Sequence, residues 1–373
     1  MNRKKQVILI TNILTPYRMI TYDKLYETFQ EYGYEFKVYV MSDGEPNRKW
    51  KYVQYKRKYT NLLEKSKLKI SDYNHNNKLL RKSISLQNVK FIILSGTYLA
   101  ITNWKIIFLA KGKIPIFYWS ESHLDEQRSY NKIKLLVREC IRKIFYNLMD
   151  GFIFVGRKSL EFIRNYNKDA KCFYLPNIVD DQIFSNPKMV NKHNDKFTFI
   201  LPARLEKEKG IDEFLDLIQG INTSLYRIIC PGEGSLKEKL QEKAREYNID
   251  LQLVGYKTQE EMIELYKIAD GFCLPSLSDP NPLSCIEALW QGLPLFISNH
   301  VGNYPEVIEQ ENNGYVFSYQ KKEEAREDFR KMITSSQAWR NKAQEISINK
   351  AKDNFAPQKA VERLVRSINT FLR

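Results

Sequence analysis

The chain has 373 residues, which is enough for two domains that each bury a hydrophobic core. Hydrophobic residues make up 43% and charged residues 28%, and there are only 15 Gly and 13 Pro, so collagen-like and disordered chains are excluded. Lys, Asn or Gly interrupts every apolar run well short of the ~18 residues that a transmembrane helix needs. We therefore expect a folded protein that does not span a membrane.

Basic residues are concentrated in the first half of the chain. Residues 1–180 contain 33 Lys and Arg against 16 Asp and Glu, a net charge of +17, whereas residues 181–373 contain 26 against 28, a net charge of −2. This asymmetry indicates that the first half faces something anionic, either nucleic acid or a lipid surface. A lysine-rich surface without a specific partner is the alternative, although it does not explain the near-neutral second half.

Short β-rich runs alternate with amphipathic segments along the whole chain, which is typical of βα units around parallel sheets. Strands are predicted near residues 7–11, 35–41, 89–95, 114–119, 151–155 and 171–175, and then near 197–201, 225–230, 250–254, 271–275 and 294–298. A polar segment without periodicity separates the two series. The predicted fold class is therefore α/β, with a first doubly wound domain over 1–180, a linker over 181–196, a second domain over 197–355 and a C-terminal helix over 356–373 that packs back across the first.

The five cysteines are odd in number, widely spaced and mostly embedded in apolar runs. They lack the pairing expected of a disulfide framework or a metal site. We expect core thiols in a reducing cytoplasm.

The most informative turns follow strands of the second domain, because ligands of open parallel sheets bind at the carboxyl ends of the strands. Arg204 and Lys209 lie between a strand and a helix start whose amides are electropositive, an arrangement that can bind a phosphate. They are alternatively ordinary surface charges. Gly232 and Gly234 form the next such turn. It either lets a ligand approach the backbone closely or is an ordinary tight turn without a ligand.

Two carboxylates follow the strand near 271–275. Asp279 is expected in the loop at its carboxyl end and Glu287 in the helix that comes next. Carboxylates so placed can accept hydrogen bonds from hydroxyls at two points of one extended ligand, such as a sugar and a ribose. The backbone amides of Leu283 and Ser284, at the helix start, can meet a diphosphate between them.

Taken together, these motifs resemble those of the family-four retaining glycosyltransferases of the GT-B fold, over nearly the whole chain and most strongly from Phe197 to Ile308. The motifs that carry the resemblance are Pro176-Asn177 with Asp180, Arg204, Lys209-Gly210, Gly232-Glu233-Gly234, Gly255, Asp279 with Glu287, and the run from Gly302 to Ile308. The resemblance implies two Rossmann-like domains that face each other across a cleft. The first would bind the acceptor and the second the nucleotide sugar.

The resemblance also implies roles for single residues. Arg204 and Lys209 would neutralise the diphosphate of the donor as it leaves. Glu287 would hold the ribose, and Asp279 would bind hydroxyls of the donor sugar. The remaining residues of the implied donor-binding set are Gly232, Gly234, Gly255, Tyr256, Asn281, Leu283 and Ser284.

The loop around Asp279 departs from the family pattern. The family usually has Glu at this position, and Asp is one methylene shorter. Pro280 and Pro282 also remove backbone N–H groups that the usual Gly-rich loop supplies. Contacts with the donor sugar are therefore expected to be rearranged.

Candidate acceptor residues follow strands of the first domain. The family often has a His about six residues after the Pro of the strand near 114–119. Here Glu121 occupies that place and His123 lies two residues beyond, so either can orient a sugar, while a merely structural carboxylate is the alternative for Glu121. The first turn, which replaces a Gly-rich loop of many relatives, is expected to line the cleft through Thr15, Pro16, Tyr17 and Arg18.

The resemblance implies transfer with retention of configuration, in which the departing phosphate helps to deprotonate the acceptor and no carboxylate nucleophile is needed. The four histidines, His75, His123, His193 and His300, have no metal-ligand spacing. The basic loop can replace the charge of a divalent ion. We therefore expect no metal and no cofactor, only a nucleotide-diphosphate sugar as donor substrate.

Residues 48–69 contain nine Lys and Arg, one acid and four aromatic residues. Anionic lipid headgroups attract such a cluster by roughly 1 kcal/mol per basic residue, and aromatic rings favour the interface. Single-stranded nucleic acid and a mobile loop without a partner are the alternatives, but no nucleic acid is expected. The predicted contacts with an anionic membrane surface are Arg48, Lys49, Trp50, Lys51, Lys56, Arg57 and Lys58.

A second basic and amphipathic segment covers residues 131–148. Its apolar positions are more typical of a helix that faces the core than of a membrane anchor. The residues expected to face the core are Ile133, Leu136, Cys140, Ile141, Ile144 and Leu148.

The predicted function is transfer of a sugar, with retention, from a nucleotide sugar to a growing cell-surface polysaccharide or lipid-linked oligosaccharide. The expected location is cytoplasmic, peripherally associated with the inner face of the cell membrane. Two other classes remain open. A GT-B epimerase or hydrolase would turn over the nucleotide sugar without an acceptor, and a non-catalytic protein that binds nucleic acid or lipid would be indifferent to loss of Asp279 or Glu287.

Overall fold

The structure is a computed structural model that describes residues 4–44, 51–66, 74–78, 84–123, 132–185 and 196–373. These residues form two compact units. Unit 1 contains the described residues up to 178 together with 357–373, and unit 2 contains the described residues of 179–356.

Unit 1 is built on a seven-stranded parallel sheet with the strand order β3-β2-β1-β4-β5-β6-β7. The strands are β1 (Gln6–Thr11), β2 (Glu35–Val40), β3 (Thr60–Leu62), β4 (Val89–Leu94), β5 (Ile116–Ser120), β6 (Gly151–Phe154) and β7 (Cys172–Tyr174). The helices between them are α1 (Pro16–Glu31), α2 (Tyr52–Tyr55), α3 (Ile101–Ala110), α4 (Lys132–Asn147) and α5 (Arg157–Tyr166). The strand order reverses between β1 and the central strand β4, as in doubly wound folds.

Both faces of the unit 1 sheet are covered. Side chains alternate along each strand, so neighbouring residues of one strand pack into different clusters on the two faces. Val7 and Leu9 of β1 belong to a cluster with the helix α1 and the last helix of the chain. Ile8 and Ile10 belong to the opposite cluster, which contains buried residues of α3, α4 and α5. The helices α3, α4 and α5 therefore lie on one face of the sheet.

Unit 2 is a six-stranded parallel sheet with the order β10-β9-β8-β11-β12-β13. The strands are β8 (Phe197–Ile200), β9 (Tyr226–Pro231), β10 (Leu251–Gly255), β11 (Gly271–Leu274), β12 (Leu295–Ser298) and β13 (Gly314–Phe317). Its helices are α6 (Asp181–Phe184), α7 (Ile211–Ile218), α8 (Lys237–Glu246), α9 (Gln259–Ile268), α10 (Leu283–Trp290), α11 (Tyr304–Val307), α12 (Lys322–Ile333) and α13 (Gln337–Asn354), with a 3-10 helix at Lys207–Lys209.

The last helix, α14 (Pro357–Phe371), is part of unit 1 although it follows unit 2 in the chain. Its Val361 and Leu364 are fully buried in the cluster that also contains Phe29 of α1. Tyr34 donates a hydrogen bond of 2.9 Å to Oδ1 of Asn369. The chain therefore returns to its first unit to complete the core there.

The predicted linker over 181–196 is wrong at its first residues. Asp180 caps α6 by accepting a hydrogen bond of 3.0 Å from the backbone N–H of Gln182. Phe184 is buried, and its carbonyl oxygen accepts a hydrogen bond of 2.6 Å from Nε2 of Gln291. The cap and the buried ring make this stretch part of unit 2, while residues 186–195 lie outside the described residues.

The prediction that α4 faces the core through six regularly spaced apolar residues is wrong for four of them and right for Ile141 and Leu148, which pack against the core cluster of unit 1. Phe145 is fully buried, and this fixes the face that α4 turns toward the sheet. Ile133, Leu136, Cys140 and Ile144 all lie on the opposite face and are exposed. No helix within the described ranges is long and apolar enough to cross a membrane.

Candidate functional site

The loop after β8 holds the two predicted basic residues in different surroundings. Arg204 is largely exposed, and its Nη2 lies 2.6 Å from Oε1 of Glu208. Lys209 ends the 3-10 helix, and its side chain is mostly buried. The guanidinium of Arg204 is therefore free to reorient toward a ligand, whereas the ammonium of Lys209 is fixed.

Lys209 is fixed by Asp279. Its Nζ lies 2.5 Å from Oδ2 of Asp279, and the two side chains are only 17% and 11% exposed. The backbone of Asp279 bridges to the loop after β12, because its N–H donates to the carbonyl of His300 (3.3 Å) and its carbonyl accepts from the N–H of Gly302 (2.7 Å). A Cβ on Gly302 would lie 1.8 Å from the carbonyl oxygen of Pro280, so this approach of the two loops requires glycine.

A tyrosine that the sequence analysis did not single out holds the Lys209 loop against the end of β11. The hydroxyl of Tyr319 donates to the carbonyl oxygen of Pro275 (2.6 Å) and lies 3.1 Å from that of Gly210. Gly210 has φ 63°, and a Cβ there would lie 2.3 Å from that same Pro275 oxygen. Tyr319 follows β13, a strand that was not predicted, so no signal in the sequence pointed to it.

Glu287 lies on α10, where Tyr266 donates a hydrogen bond of 2.7 Å to its Oε2. Burial raises the pKa of this carboxyl, and the bond from Tyr266 opposes the rise. The charges of Asp279, Glu287 and Lys209 all act on the buried thiol of Cys285: burial and the two carboxylates raise its pKa, and the ammonium lowers it. The three charged groups are therefore grouped around one buried side chain at the start of α10.

The first turn of α10 begins with Leu283 and Ser284. Within the described residues no side chain caps it, and Pro282 stands at the N-cap position. Nδ2 of Asn303, another residue missed by the sequence analysis, donates to the carbonyl of Pro282 (3.0 Å) and lies 3.4 Å from Oδ1 of Asn281. The amides at the start of α10 are thus candidate donors to an anionic ligand.

The glycine turn after β9 lies directly against the loop after β8. A Cβ on Gly232 would lie 2.0 Å from the carbonyl oxygen of Ala203, and one on Gly234 would lie 2.4 Å from that of Leu205. The N–H of Gly232 also donates to the carbonyl of Gly255 at the end of β10 (2.8 Å). These glycines are therefore required by the close packing of three loops and not only by a bound ligand.

The predicted donor-binding residues thus lie along one edge of the unit 2 sheet. They sit in the loops after β8, β9, β10 and β11, which are neighbours in the sheet, so their carboxyl ends meet at the same edge. Tyr256, at the end of β10, is 79% exposed and offers a flat ring beside the glycine turn. Cations, backbone amides, carboxylates and an aromatic face are all present there.

A second polar cluster lies at the carboxyl edge of the unit 1 sheet. Nη2 of Arg18, in the first turn of α1, lies 2.5 Å from Oε1 of Glu121, and its guanidinium carbon is 4.2 Å from the ring centre of Trp119. Burial lowers the pKa of the Arg18 guanidinium, but the combined effects of Glu121, Tyr22 and Tyr17 raise it overall. Among the described residues, Nη1 of Arg18, Nε1 of Trp119 and Oγ1 of Thr15 are buried without a hydrogen-bond partner.

The remaining acceptor candidates surround this cluster. Pro16 is the first residue of α1, where the missing N–H costs no hydrogen bond. Tyr17 is 40% exposed, whereas His123 is buried. Glu121, one of the two residues that could replace the family's usual His, pairs with Arg18 of the first turn.

The basic segment expected to contact a membrane is only partly described, because residues 45–50 lie outside the described residues. Lys51 and Lys56 are exposed. Nε of Arg57 lies 3.3 Å from Oδ1 of Asp23, and Nζ of Lys58 lies 4.8 Å from the ring centre of Tyr26. Arg57 and Lys58 therefore have partners within unit 1.

The three described aromatic rings of this segment do not face outward as expected, while Trp50 lies outside the described residues. Tyr59 is buried, and its hydroxyl donates a hydrogen bond of 2.6 Å to Asp23. Tyr52 and Tyr55 pack against the core, and Tyr52 donates to the carbonyl of Thr60 (3.0 Å). The interpretation of these rings as membrane-interface anchors is wrong, because they pack on the hydrophobic core of unit 1.

A sequence model of the family described as "Glycosyl transferases group 1" matches residues 182–372. One relative, the amylovoran biosynthesis glycosyltransferase AmsD of Erwinia amylovora, is 23% identical over 222 residues, or 58% of this chain and 61% of that protein. The chain spans 61%, 38% and 33% of the lengths of three curated relatives that it matches.

Solved structures match almost the whole chain. The apo form of the lipopolysaccharide outer core galactosyltransferase WaaB has a TM-score of 0.72 at 15% identity, with 98% of this chain and 99% of that chain covered. HepE of Anabaena, in complex with UDP and glucose, has a TM-score of 0.69 at 13% identity, with 98% and 99% covered. These likenesses confirm the predicted GT-B class with its two parallel sheets.

Proposed function

Because this chain belongs to the group 1 glycosyl transferases, we propose that it moves a sugar from a nucleotide-diphosphate sugar to a glycan acceptor with retention of the anomeric configuration. The acceptor class we propose is a growing cell-surface polysaccharide or a lipid-linked oligosaccharide. AmsD and WaaB support this choice, since their names place them in amylovoran and lipopolysaccharide synthesis.

The observation that carries the proposal is the buried ion pair of Lys209 with Asp279, grouped with Glu287 at the start of α10. A nucleotide sugar presents a ribose, a diphosphate and a sugar in series. Glu287 can accept hydrogen bonds from the ribose hydroxyls, and Asp279 can accept them from the sugar hydroxyls. The α10 amides and Lys209 can bind the diphosphate between them.

The departing nucleotide diphosphate gains negative charge as the glycosidic bond breaks. A fixed ammonium at Lys209 stabilises that charge without reorganising, and Arg204 adds a second cation once it leaves Glu208. Two cations and helix amides supply the charge that a divalent ion would otherwise bring. We therefore propose transfer without a metal.

We assign acceptor binding to the cluster of Arg18, Glu121 and Trp119 in unit 1. Buried polar atoms without a partner cost free energy, and hydroxyls of a bound glycan would satisfy them. Arg18 and Trp119 present donors and Glu121 an acceptor, which matches the dual character of a sugar hydroxyl. In this proposal the departing phosphate takes the acceptor proton, so Glu121 positions the acceptor rather than attacking the sugar.

We also propose that the protein works at the cytoplasmic face of a membrane, where exposed Lys51 and Lys56 add to the attraction of unit 1 for anionic lipids. Charge reversal at Lys56 and Lys58 tests this part. Sedimentation with anionic liposomes should fall, and an unchanged bound fraction would refute a role for this segment.

The donor site is tested by thermal-shift measurements with UDP, GDP, ADP, TDP and their sugar conjugates in the absence of metal. A ligand that binds only the native state stabilises it by RT ln(1+[L]/Kd), about 2.7 kcal/mol at a hundredfold excess over Kd. Arg204→Ala and Glu287→Gln should weaken the shift, and Arg330→Ala on α12 is a matched control at an exposed, ion-paired arginine.

No shift with any nucleotide at millimolar concentration would refute the donor assignment. If a nucleotide binds, NMR of the product with its sugar conjugate then reports the anomeric configuration. Inversion in the product would overturn the retaining mechanism while leaving the donor site in place.

A further inference from the structure

The helix α4 turns its apolar side chains to solvent. Ile133, Leu136, Val137 and Ile144 are 74%, 67%, 52% and 56% exposed, and Cys140 is exposed among them. Spacings of three and four residues place all five on one face of the helix. An apolar stripe normally faces the core, but α4 has this exposed apolar face in addition to the residues that pack on the core.

The side of α4 that faces the protein carries both apolar and polar contacts, because Phe145 and Tyr146 are buried and Ile141 and Leu148 pack against the same core cluster. Nη1 of Arg142 donates to Oε1 of Glu139 and to the hydroxyl of Tyr166, both at 2.8 Å, and its guanidinium carbon lies 4.8 Å from the ring centre of Tyr98. Phe145 completes the inward face. The orientation of α4 is thus fixed by specific contacts, and its exposed apolar face is a property of the folded unit.

The neighbouring helix α3 extends this surface. Phe108 is 88% exposed and Leu109 is 41% exposed, the former more than any other large hydrophobic residue of the described chain. Buried residues of α3 and α4 belong to the same cluster on one face of the sheet. Their outward sides therefore lie on the same side of unit 1. We call this surface the α3–α4 face, formed by Phe108, Leu109, Ile133, Leu136, Val137, Cys140 and Ile144.

Basic residues border the α3–α4 face. Lys134 and Lys143 of α4 and Lys113 after α3 are exposed. The one acidic residue of α4, Glu139, is turned inward by its contacts with Arg142 and Tyr166. An apolar centre with a basic border is the pattern of helices that lie in the headgroup region of anionic membranes.

We propose that the α3–α4 face inserts into the interface of an anionic bilayer and holds unit 1 on the membrane. A second copy of the chain suits this surface less well, because a self-complementary contact would set lysines against lysines. The three rings of residues 51–59 pack in or against the core of unit 1, so this segment offers its charges and the exposed Val53 but no exposed ring. The proposal deepens the membrane association described above and does not depend on the transfer reaction.

Cys140 provides a reporter at the centre of the face. Cys230, Cys273 and Cys285 are buried, so Cys172→Ser leaves Cys140 as the accessible thiol of the described residues. We would label it with a solvatochromic fluorophore and add vesicles of phosphatidylglycerol and phosphatidylethanolamine. A blue shift in emission with these vesicles, absent with pure phosphatidylcholine, is the expected result, and no shift would overturn the proposal.

The unlabelled protein gives the quantitative test through Ile133→Glu/Leu136→Glu. Both side chains are well exposed, so the variant should keep the wild-type thermal midpoint while its partition coefficient for the anionic vesicles falls at least roughly tenfold. Leu225→Glu/Ile268→Glu is the matched control, because it makes the same charge change at exposed positions of unit 2 and should bind as wild type.

Two outcomes contradict the proposal. Equal binding by the face variant and the wild type would show that the face does not insert. A lipid-free dimer in size-exclusion chromatography with light scattering that the face variant turns into a monomer would assign the face to a second copy. Transfer to a water-soluble acceptor should be equal in the face variant and the wild type, so failure of this proposal is distinguishable from failure of the proposed chemistry.

Discussion

Lys209 and Asp279 are 70 residues apart in the chain, yet Nζ of the lysine lies 2.5 Å from Oδ2 of the aspartate. The pair joins the loops after β8 and β11, which are neighbouring strands of the unit 2 sheet. In the proposed complex the lysine lies between the carboxylate that binds the sugar and the diphosphate that leaves with the nucleotide. One cation then serves both the fold of the site and its chemistry.

Lys209→Ala should cost both stability and activity. Removal of the ammonium leaves the carboxylate of Asp279 nearly buried beside Cys285 without its counter-ion, which typically destabilises by about 3 kcal/mol. Urea unfolding measures this loss. The double variant Lys209→Ala/Asp279→Ala should regain much of the stability, because it leaves no uncompensated charge, but should not regain transfer. Recovery of transfer in the double variant would refute a chemical role for Lys209.

Glu287 should make stability depend on pH. Burial raises its pKa in the folded state above the 4.5 of an unfolded chain, so the native state holds the proton more tightly. Stability is then lost as pH rises from about 4.5 through the folded-state pKa, since the unfolded state binds fewer protons in that window. Glu287→Gln should remove this decline, so the variant gains on the wild type as pH rises, as urea unfolding at pH 4.5 and 7.5 would show.

Tyr266→Phe sharpens this test. The hydroxyl of Tyr266 donates to Oε2 of Glu287 and lowers the pKa of the carboxyl, so its loss should raise that pKa further and steepen the decline. A variant with a flatter pH profile than the wild type would contradict the assignment of the decline to Glu287.

Gly302→Ala should disrupt the same site from the backbone. A Cβ at this position would lie 1.8 Å from the carbonyl oxygen of Pro280, so the loops after β11 and β12 must separate. We expect a loss of about 3 kcal/mol or more in the free energy of unfolding, together with a loss of the thermal shift with nucleotide. Gly220→Ala is the control, because its φ of 77° brings strain of ~1 kcal/mol but no atom lies within 4 Å of the added Cβ.

The sequence predicts all the central strands and two of the four edge strands, β7 and β10. β1 and β2 coincide with predicted runs because buried parallel strands are continuous apolar segments. The other two edge strands, β3 and β13, were missed, and β3 has a single apolar residue in its three. The prediction of which α4 residues face the core was wrong at Ile133, Leu136, Cys140 and Ile144. Periodicity shows that a helix has an apolar face but not which way that face points.

The candidate site shows the same division. Single residues such as Asp279 and Glu287 were found because each follows a recognisable strand, but their partners were not. Tyr266 and Tyr319 reach the site through hydroxyl bonds from helices and loops that lie elsewhere in the chain. Such tertiary contacts leave no local spacing to detect, so the sequence predicts where a ligand contacts the sheet edge and not what holds that edge rigid.

Arg18→Lys should separate acceptor binding from donor binding. Lysine keeps the charge beside Glu121 but loses the planar guanidinium that lies 4.2 Å from the ring centre of Trp119. We expect the KM for the acceptor to rise roughly tenfold or more, by analogy with the 1–3 kcal/mol carried by such buried charge-assisted contacts, while the thermal shift with nucleotide is unchanged. Arg57→Lys is the matched control, since Arg57 also pairs with a carboxylate of unit 1 but lies on the basic segment. An unchanged acceptor KM in Arg18→Lys, or an equal rise in both variants, would contradict the assignment of the acceptor to this cluster, and a lost nucleotide shift would place Arg18 in donor binding instead.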